Sequence, residues 1–169
     1  TLWHTLSLHD ALPISGLGEA KAARVVAALE LGTRAAERAG VRGERRRFGC
    51  SRDIFEAYRA RLAPLAQEVF FAVGLSSKNE PICERVVAMG TVSECRVGPA
   101  EVFRPLIADG AARFVALHNH PSGDPIPSPH DVALTRRLSE VGELLGIPLV
   151  DHVVVGGDRY VSLRDTGLI

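Results

Sequence analysis

The pattern of hydrophobic and polar positions predicts helices and strands that interleave without a strict repeat. The first clear helix begins with Ser51 as its N-cap, carries Asp53 in its first turn and ends or bends at Pro64. Its apolar face is predicted to consist of Ile54, Phe55, Tyr58 and Leu62. This spacing of three and four residues is typical of a helix that covers a core on one side.

Two apolar, β-branched and aromatic runs follow this helix. The run EVFFAVGL, which begins at Glu68, predicts a buried strand, and ICERVVAMGTV, which follows Pro81, predicts a second strand. Polar and turn-forming residues lie between them, so we expect an antiparallel hairpin.

The second half of the chain predicts two helices and three strands. A helix that starts at Pro99 and ends near Gly110 is expected to bury Val102, Phe103, Leu106 and Ile107. The segment RFVAL at 113–117 predicts a short strand, and a loop stiffened by proline follows at 121–129. The next helix starts at Ser128 and Pro129, stops at Gly146, and is expected to turn inward Val132, Leu134, Leu138, Val141 and Leu145. LVDHVVVG and YVSL are the closing strands, so the fold class is a mixed α/β sheet flanked by helices.

The N-terminal part differs in character from the rest. An alanine-rich helix of about twenty residues is predicted after Gly16. Its repeating apolar positions are Ala22, Val25, Val26, Leu29 and Ala36. The G-x-G turn that opens it resembles the second half of a helix-hairpin-helix, in which turn amides approach a DNA phosphate. An inert capping turn is the simpler alternative for residues 16–40, and the basic run RGERRR falls in a predicted linker at 41–50.

Residues 1–15 do not resemble a natural domain. Thr5 to Ile14 resembles the translation of a sequencing-adapter oligonucleotide, and the chain starts without Met. We therefore expect this segment to be a non-native addition to a gene fragment and leave it out of the fold prediction. A genuine irregular tail is the alternative.

Composition narrows the class of protein further. A chain of 169 residues with 46% hydrophobic content can form one domain with a core and a small appendage. Lys plus Arg and Asp plus Glu number 20 each, which argues weakly against nucleic acid as the main partner. No apolar run approaches the roughly 20 residues that span a bilayer, so no membrane partner is expected. The spacing of Cys50, Cys83 and Cys95 suggests neither a disulfide framework nor a thiolate metal site, and a reducing cytoplasm fits best.

The stretch LHNHPSGDPIPSPHD, residues 117–131, carries the strongest chemical signal. His118 and His120 at a strand end point to the same side, and Asp131 in the first turn of the next helix can face back across the loop. Two imidazoles and a carboxylate suit zinc and leave a fourth position for water, whose pKa zinc lowers toward about 7. Taken singly, an H-x-H pair is more often two ordinary exposed histidines, and Ser128 with Asp131 is also a normal helix start.

The combined spacing is more specific than its parts. H-x-H, seven residues, Ser, two residues and Asp resembles the metalloprotease motif of the JAMM, or MPN-plus, family. Within that family, residues from about 51 to 169 resemble the bacterial RadC branch. The resemblance rests on HNHPSGDP, the following PSxxD, LTRRL, GIPLVDH and the upstream GTV and EVFRP runs, and GLGEAKAARVVAALELG resembles that branch's N-terminal helix-hairpin-helix remnant.

This resemblance implies a curved mixed sheet between helices, with a layout related to cytidine deaminases, and a zinc-dependent peptidase or isopeptidase. It implies that His118, His120 and Asp131 hold the metal and that Ser128 hydrogen-bonds the developing oxyanion. Glu68 matches the place of the family's catalytic glutamate, which carries the proton. A peptide or protein would be the substrate.

Other polar residues near the motif are left with alternatives. Asp151 and His152 lie among β-branched residues and are either satisfied core groups or contacts to the metal ligands or substrate. Asp124 is expected to be a turn residue, and Cys83 and Cys95 to be small core or surface residues.

Two other functions are weighed against hydrolysis. A DNA-associated protein would use the helix-hairpin-helix remnant, although the neutral charge and the halved hairpin argue against it. A zinc deaminase would need H-x-E and P-C-x-x-C, which the cysteines do not provide. Substrate and oligomeric state are left open.

Overall fold

The computed structural model describes residues 18–42, 46–90 and 97–169. The chain forms two compact units, one up to Arg45 and one from Arg46 onward. The expectations for residues 1–15, for Cys95 and for the end of the second predicted strand lie outside the described residues. No helix in the described ranges has both the length and the apolar character needed to cross a membrane.

The first unit contains the predicted alanine-rich helix, α1, which spans Glu19–Arg42. Its first turn is closed by Gly18, whose carbonyl accepts hydrogen bonds from the amides of Lys21 and Ala22. Ala22 is buried, whereas Val25 and Leu29 are 45% and 51% exposed. Val26 is half-buried, so two of the four described stripe residues are open to solvent. DNA binding by this helix stays a prediction.

The second unit is built on a five-stranded sheet with the strand order β2-β1-β3-β4-β5. The strands are β1 (Val69–Leu75), β2 (Pro81–Met89), β3 (Arg113–Asn119), β4 (Leu149–Gly156) and β5 (Arg159–Ser162). β1 pairs with β2 and β3 in antiparallel fashion, β3 and β4 are parallel, and β4 and β5 are antiparallel. The predicted hairpin and the mixed α/β sheet are both confirmed.

Helices cover both faces of this sheet: α2 (Ser51–Leu62) lies on one face, and α3 (Pro99–Ala108) and α4 (Pro129–Leu145) lie on the other. Successive strand residues point to opposite faces, so the central strands supply two cores. The core under α2 includes Ile54, Tyr58, Leu62, Phe71, Val73, Leu117 and Val153. The core under α3 and α4 includes Phe70, Ala72, Phe103, Leu106, Phe114, Ala116 and Leu138.

The start of α2 differs from the prediction. Cys50, not Ser51, occupies the N-cap position, and Asp53 accepts the amides of Gly49 and Cys50. Ser51 is the first helical residue, and its hydroxyl donates to Asp165 at 2.5 Å. Phe48, in the predicted linker, is buried in the core under α2, and its amide donates to the carbonyl of Asn79 at 3.0 Å.

In the second unit, two residues of the predicted apolar stripes are exposed, Ile107 at 54% and Leu145 at 46%. In α4 the buried row runs from Leu138 to Gly142 instead of toward Leu145. A Cβ on Gly142 would lie 2.7 Å from the carbonyl oxygen of Ile147. The missing side chain lets the end of the helix approach the chain that leads into β4, and this contact turns Leu145 outward.

The antiparallel pairing of β1 and β3 brings the start of β1 next to the end of β3, where the two histidines lie. Phe70 lies opposite His118, so the beginning of β1 and the end of β3 share one edge of the sheet. The N-terminus of α4 approaches the same edge through the 121–128 loop.

Candidate metal centre

His118, His120 and Asp131 converge at the end of β3. The two Nε2 atoms lie 3.0 Å apart. Asp131 places one oxygen 3.4 Å from His118 Nε2 and the other 3.6 Å from His120 Nε2. One ligand atom from each residue lies within 4.8 Å of the others, which is a group that could hold a metal ion.

Three different local structures present these ligands. His118 is the penultimate residue of β3, which runs two residues further than predicted, and His120 follows the strand directly. Asp131 is at position N3 of α4, where its carboxylate accepts the Ser128 amide at 2.7 Å. His118 and Asp131 are buried, whereas the His120 side chain is 14% exposed. The site can therefore be reached from the His120 side.

A backbone carbonyl orients the His120 ring. Its Nδ1 lies 2.7 Å from the carbonyl oxygen of Asp124, which can only accept a hydrogen bond. Nδ1 therefore carries the proton, and Nε2 presents its lone pair to the site. The Asp124 carboxylate is used locally, where it accepts the amide of Ile126 at 3.4 Å, as expected of a turn residue.

His118 is held by a buried polar chain that the sequence did not single out as a unit. Its Nδ1 lies 2.8 Å from His152 Nε2, and His152 Nδ1 lies 2.5 Å from the hydroxyl of Thr135. Thr135 also donates to the backbone carbonyl of Asp131. Thr135 was missed altogether, although its position one helical turn after Asp131 was the available signal.

The pKa values of Asp131, His120 and His152 are shifted by burial and by the contacts of the Asp131 carboxylate with the two histidine rings. Burial opposes ionisation of Asp131, but the His118 and His120 rings and the Ser128 hydroxyl outweigh it and hold the pKa well below its usual range. The Asp131 carboxylate in turn raises the pKa of His120. Complete burial lowers the pKa of His152 well below the ordinary value, so this ring is neutral.

Glu68 directly precedes β1 and is half-buried. Extending the pairing of Phe70 with His118 by two residues places Glu68 opposite His120. The side chains of Glu68 and Phe70 belong to the same face, because side chains alternate along a strand. The Asp131 carboxylate is the main cause of the raised pKa of His120, and the charge of Glu68 adds a smaller contribution in the same direction.

Asn119, between the two histidines, is turned away from the group and binds the backbone at the start of β1 and just before it. Its side chain accepts the amide of Val69 at 2.8 Å and donates to the carbonyl of Gln67 at 3.0 Å and that of Leu65 at 3.4 Å. These bonds connect the end of β3 to the segment that carries Glu68. The side chain is buried, so the three bonds replace those that water would make.

Ser128 caps α4 and contacts Asp131 in two ways. Its hydroxyl oxygen accepts the Asp131 amide at 3.2 Å, and its proton is donated to the Asp131 carboxylate at 2.7 Å. This reciprocal arrangement with the Ser128 amide is a capping box. The expected structural role of Ser128 is confirmed, while the oxyanion role stays a prediction.

Asp151 and His152 have different surroundings. Asp151 accepts the hydroxyl of Ser162 at 2.7 Å and the amides of His152 and Arg164 at 2.7 and 3.2 Å, which ties β4 to β5. Burial raises the pKa of this carboxyl despite those bonds. Asp151 is thus a satisfied core group, and His152 is the one that contacts a predicted metal ligand.

A cleft borders the 121–128 loop on the α2 side of the sheet. It is lined by residues of α2, of this loop and of β5, among them Arg52, Phe55, Arg59, Ile126, Arg159 and Tyr160. Phe55 and Tyr160 stack with ring centroids 4.5 Å apart, and Ile126 is 67% exposed. The cleft therefore combines aromatic and charged side chains close to the loop that orients His120.

The open mixed sheet with helices on both faces is the architecture of a JAB/MPN domain. The family model for the RadC-like JAB domain matches residues 48–168. The chain belongs to the RadC family.

Curated relatives extend this similarity over most of the chain. A UPF0758 protein of Bacillus licheniformis is 41% identical over 163 residues, which cover 96% of this chain and 72% of that protein. A UPF0758 protein of Methanosarcina mazei is 36% identical over 158 residues, covering 94% of this chain and 68% of the relative. A UPF0758 protein of Listeria monocytogenes is 37% identical over 163 residues, covering 95% and 71%. These names specify a family without an activity.

Proposed function

We propose that this protein is a zinc-dependent hydrolase that cleaves peptide or isopeptide bonds. The observation that carries the proposal is the convergence of His118 Nε2, His120 Nε2 and the Asp131 carboxylate at one edge of the sheet. Membership of a family whose domain is of the JAB type supports the same reaction class.

The donor set fits zinc. Two ligands, each about 2.0–2.2 Å from a tetrahedral ion, are roughly 3.3–3.6 Å apart. Here the two Nε2 atoms are 3.0 Å apart, one Asp131 oxygen lies 3.4 Å from His118 Nε2, and the other Asp131 oxygen lies 3.6 Å from His120 Nε2. With one ligand atom taken from each residue, all three lie within 4.8 Å of one another, which is close to the spacing that zinc requires. Three protein ligands leave one position open, and zinc bound there would polarise a substrate carbonyl and lower the pKa of water.

The remaining chemistry is assigned to side chains of the chain. Glu68, which directly precedes β1 and lies opposite His120 when the β1–β3 pairing is extended, takes a proton from the attacking water and returns it to the leaving amine. Ser128 donates its hydroxyl proton to the oxygen that becomes negative as the carbonyl is attacked. In the structure this proton is donated to Asp131, so the hydroxyl must rotate toward the substrate when the reaction begins.

A peptide or protein chain is the proposed substrate. The cleft between α2, β5 and the 121–128 loop offers stacked aromatic rings next to the loop that orients His120. Its charged lining is balanced, with three arginines, Arg52, Arg59 and Arg159, and three acidic residues, Glu56, Asp124 and Asp158. These groups can pack against an apolar substrate side chain and form ion pairs with charged side chains of either sign.

Metal analysis of purified variants tests the site itself. We expect zinc near one equivalent in the wild type and its loss in His118→Ala and Asp131→Ala. His130→Ala is the matched control, because His130 is an exposed histidine at the start of the same helix. Full zinc content in both ligand variants would reject the site.

Cleavage of a peptide library by zinc-loaded protein tests the reaction. Glu68→Gln should abolish cleavage while zinc content is unchanged, and Glu140→Gln, a change at an exposed position of α4, should leave cleavage intact. Cleavage that survives Glu68→Gln would refute the proposed proton carrier. A zinc-loaded wild type that cleaves nothing, together with salt-dependent DNA binding, would favour the DNA-associated alternative instead.

A further inference from the structure

We propose that His152 and Thr135 are positioning residues that fix the tautomer of His118 for metal binding. The inference rests on the metal site of the proposed function, but it concerns residues that contact no substrate. It follows from one fully buried chain of hydrogen bonds, which runs from the backbone carbonyl of Asp131 through Thr135 and His152 to His118.

The direction of the chain is set at its Asp131 end. A carbonyl oxygen only accepts hydrogen bonds, so the single hydroxyl proton of Thr135 is used in the bond to Asp131. The Thr135 oxygen must then accept from His152, which places the His152 proton on Nδ1. The His152 ring is 0% exposed, and a fully buried imidazole is uncharged with a single proton, so with that proton on Nδ1 its Nε2 is an acceptor.

This direction determines the state of the metal ligand. Because His152 Nε2 accepts, His118 must donate from Nδ1, and its Nε2 is left with a free lone pair. That Nε2 atom lies 3.0 Å from His120 Nε2 and 3.4 Å from the Asp131 carboxylate. The chain thus excludes the tautomer that would place a proton where the metal binds.

Asp131 contributes both its side chain and its backbone to the orientation of His118. Its carboxylate belongs to the metal-ligand group, and its carbonyl anchors the chain that orients His118. His118, Thr135 and His152 are all 0% exposed, so water does not compete for these bonds. A correctly oriented His118 is therefore expected before any metal arrives.

Thr135→Val and Thr135→Ser form a matched pair of test variants. Valine has nearly the shape of threonine but cannot accept the His152 proton, whereas serine keeps the hydroxyl. In the valine variant the His152 proton moves to Nε2, and His118 must respond by carrying its own proton on Nε2. Circular dichroism and thermal melts of both variants establish that each is folded.

Imidazole nitrogen NMR of the metal-free protein at about pH 8.5 reads the tautomer directly. We expect the Nδ1–H form of His118 in the wild type and in Thr135→Ser, and a large Nε2–H population in Thr135→Val. Zinc affinity, measured by competition with a chromophoric chelator, should fall about 10- to 100-fold in Thr135→Val and less than about threefold in Thr135→Ser.

A folded Thr135→Val protein with the wild-type tautomer and wild-type zinc affinity would overturn the inference. Equal loss of affinity in both variants would overturn it as well, because it would indicate a packing effect. If the wild type binds no zinc, the proposed function fails, while the tautomer comparison still decides the role of the chain.

Discussion

Ser128 illustrates how one side chain combines capping with proposed chemistry. Its hydroxyl accepts the Asp131 amide and donates to the Asp131 carboxylate, so the residue that begins α4 also contacts a predicted metal ligand. The two roles can be separated, since capping stabilises the folded state whether or not substrate is present.

Replacing Ser128 tests both roles. Ser128→Ala should lower the free energy of unfolding of the metal-free protein by about 1 kcal/mol through loss of the cap. The same variant should slow cleavage of a substrate peptide about 10²- to 10³-fold through loss of an oxyanion donor. Ser128→Thr, which keeps the hydroxyl, is the control for denaturant unfolding. An alanine variant as stable as the wild type would contradict the capping assignment.

Tyr58 is expected to make the stability of the protein depend on pH in the alkaline range. Its hydroxyl donates to Glu84 at 2.7 Å in a buried setting, and burial together with the Glu84 charge raises the pKa of Tyr58 well above its ordinary value. In the unfolded chain the pKa is about 10. Between these values only the unfolded state loses the proton, so the stability that Tyr58 contributes is present below pH 10 and falls as the pH rises.

Comparison with Tyr58→Phe isolates this dependence. The unfolding free energy of the wild type relative to the phenylalanine variant should fall by about 1.4 kcal/mol between pH 9 and pH 11. Urea unfolding at several pH values measures the difference. A difference that is constant with pH would show that Tyr58 ionises equally in both states.

Among the elements, the end of β3 is hydrogen-bonded through the Asn119 side chain to the backbone at the start of β1 and just before it. Removing this side chain in Asn119→Ala leaves the Val69 amide and the Gln67 carbonyl without partners, which should cost about 3 kcal/mol of stability. Hydrogen exchange at the Val69 amide should accelerate, and cleavage should fall more than zinc affinity because the segment with Glu68 loosens. Asn119→Asp keeps only the acceptor, so it should restore Val69 protection in part. Unchanged exchange at Val69 would disprove the anchor.

The 121–128 loop packs closely against the backbone of β4 at Gly156. A Cβ there would lie 2.6 Å from the Pro125 nitrogen and 2.7 Å from the Gly123 oxygen, both of which are backbone atoms. Gly156→Ala should therefore displace the loop whose Asp124 carbonyl orients His120. We expect a loss of about 1–3 kcal/mol and a roughly tenfold weaker zinc affinity.

Gly32→Ala is the control for this substitution, since an added Cβ at Gly32 meets nothing within 4 Å. Thermal melts and chelator competition on both variants provide the comparison. Equal zinc affinity in Gly156→Ala and the wild type would show that the loop adapts without moving His120.

At the scale of the whole molecule, metal binding is predicted to be coupled to the stability of the second unit. Its ligands come from β3, from the residue that follows it and from α4, so the site exists only when these elements are assembled. Zinc at about 100 times its dissociation constant should raise the unfolding free energy by about 2.7 kcal/mol.

Thermal melts with zinc and with a chelator measure this stabilisation. The chelator should reverse the shift, and Asp131→Ala should show none. An equal shift in Asp131→Ala would mean that zinc binds elsewhere in the folded protein.

Much of the architecture was readable from local patterns. Continuous apolar runs in EVFFAVGL and RFVAL indicated the central strands, and Pro99, Pro129 and Gly146 marked helix boundaries correctly. Local rules failed where tertiary contacts compete with them. Cys50 caps α2 in place of Ser51, and Leu145 is exposed because Gly142 takes the contact with the sheet.

The sequence by itself determined the predicted ligand set, because the spacing of His118, His120 and Asp131 is a local property of a strand end, a loop and a helix start. Tertiary structure decided which other residues lie near these ligands. The family resemblance predicted Glu68, and extending the register of β1 against β3 places it opposite His120. His152 contacts His118 from a neighbouring parallel strand, which no local pattern predicted. Residues far apart in the chain meet through strand pairing, and no local pattern encodes which strands become neighbours.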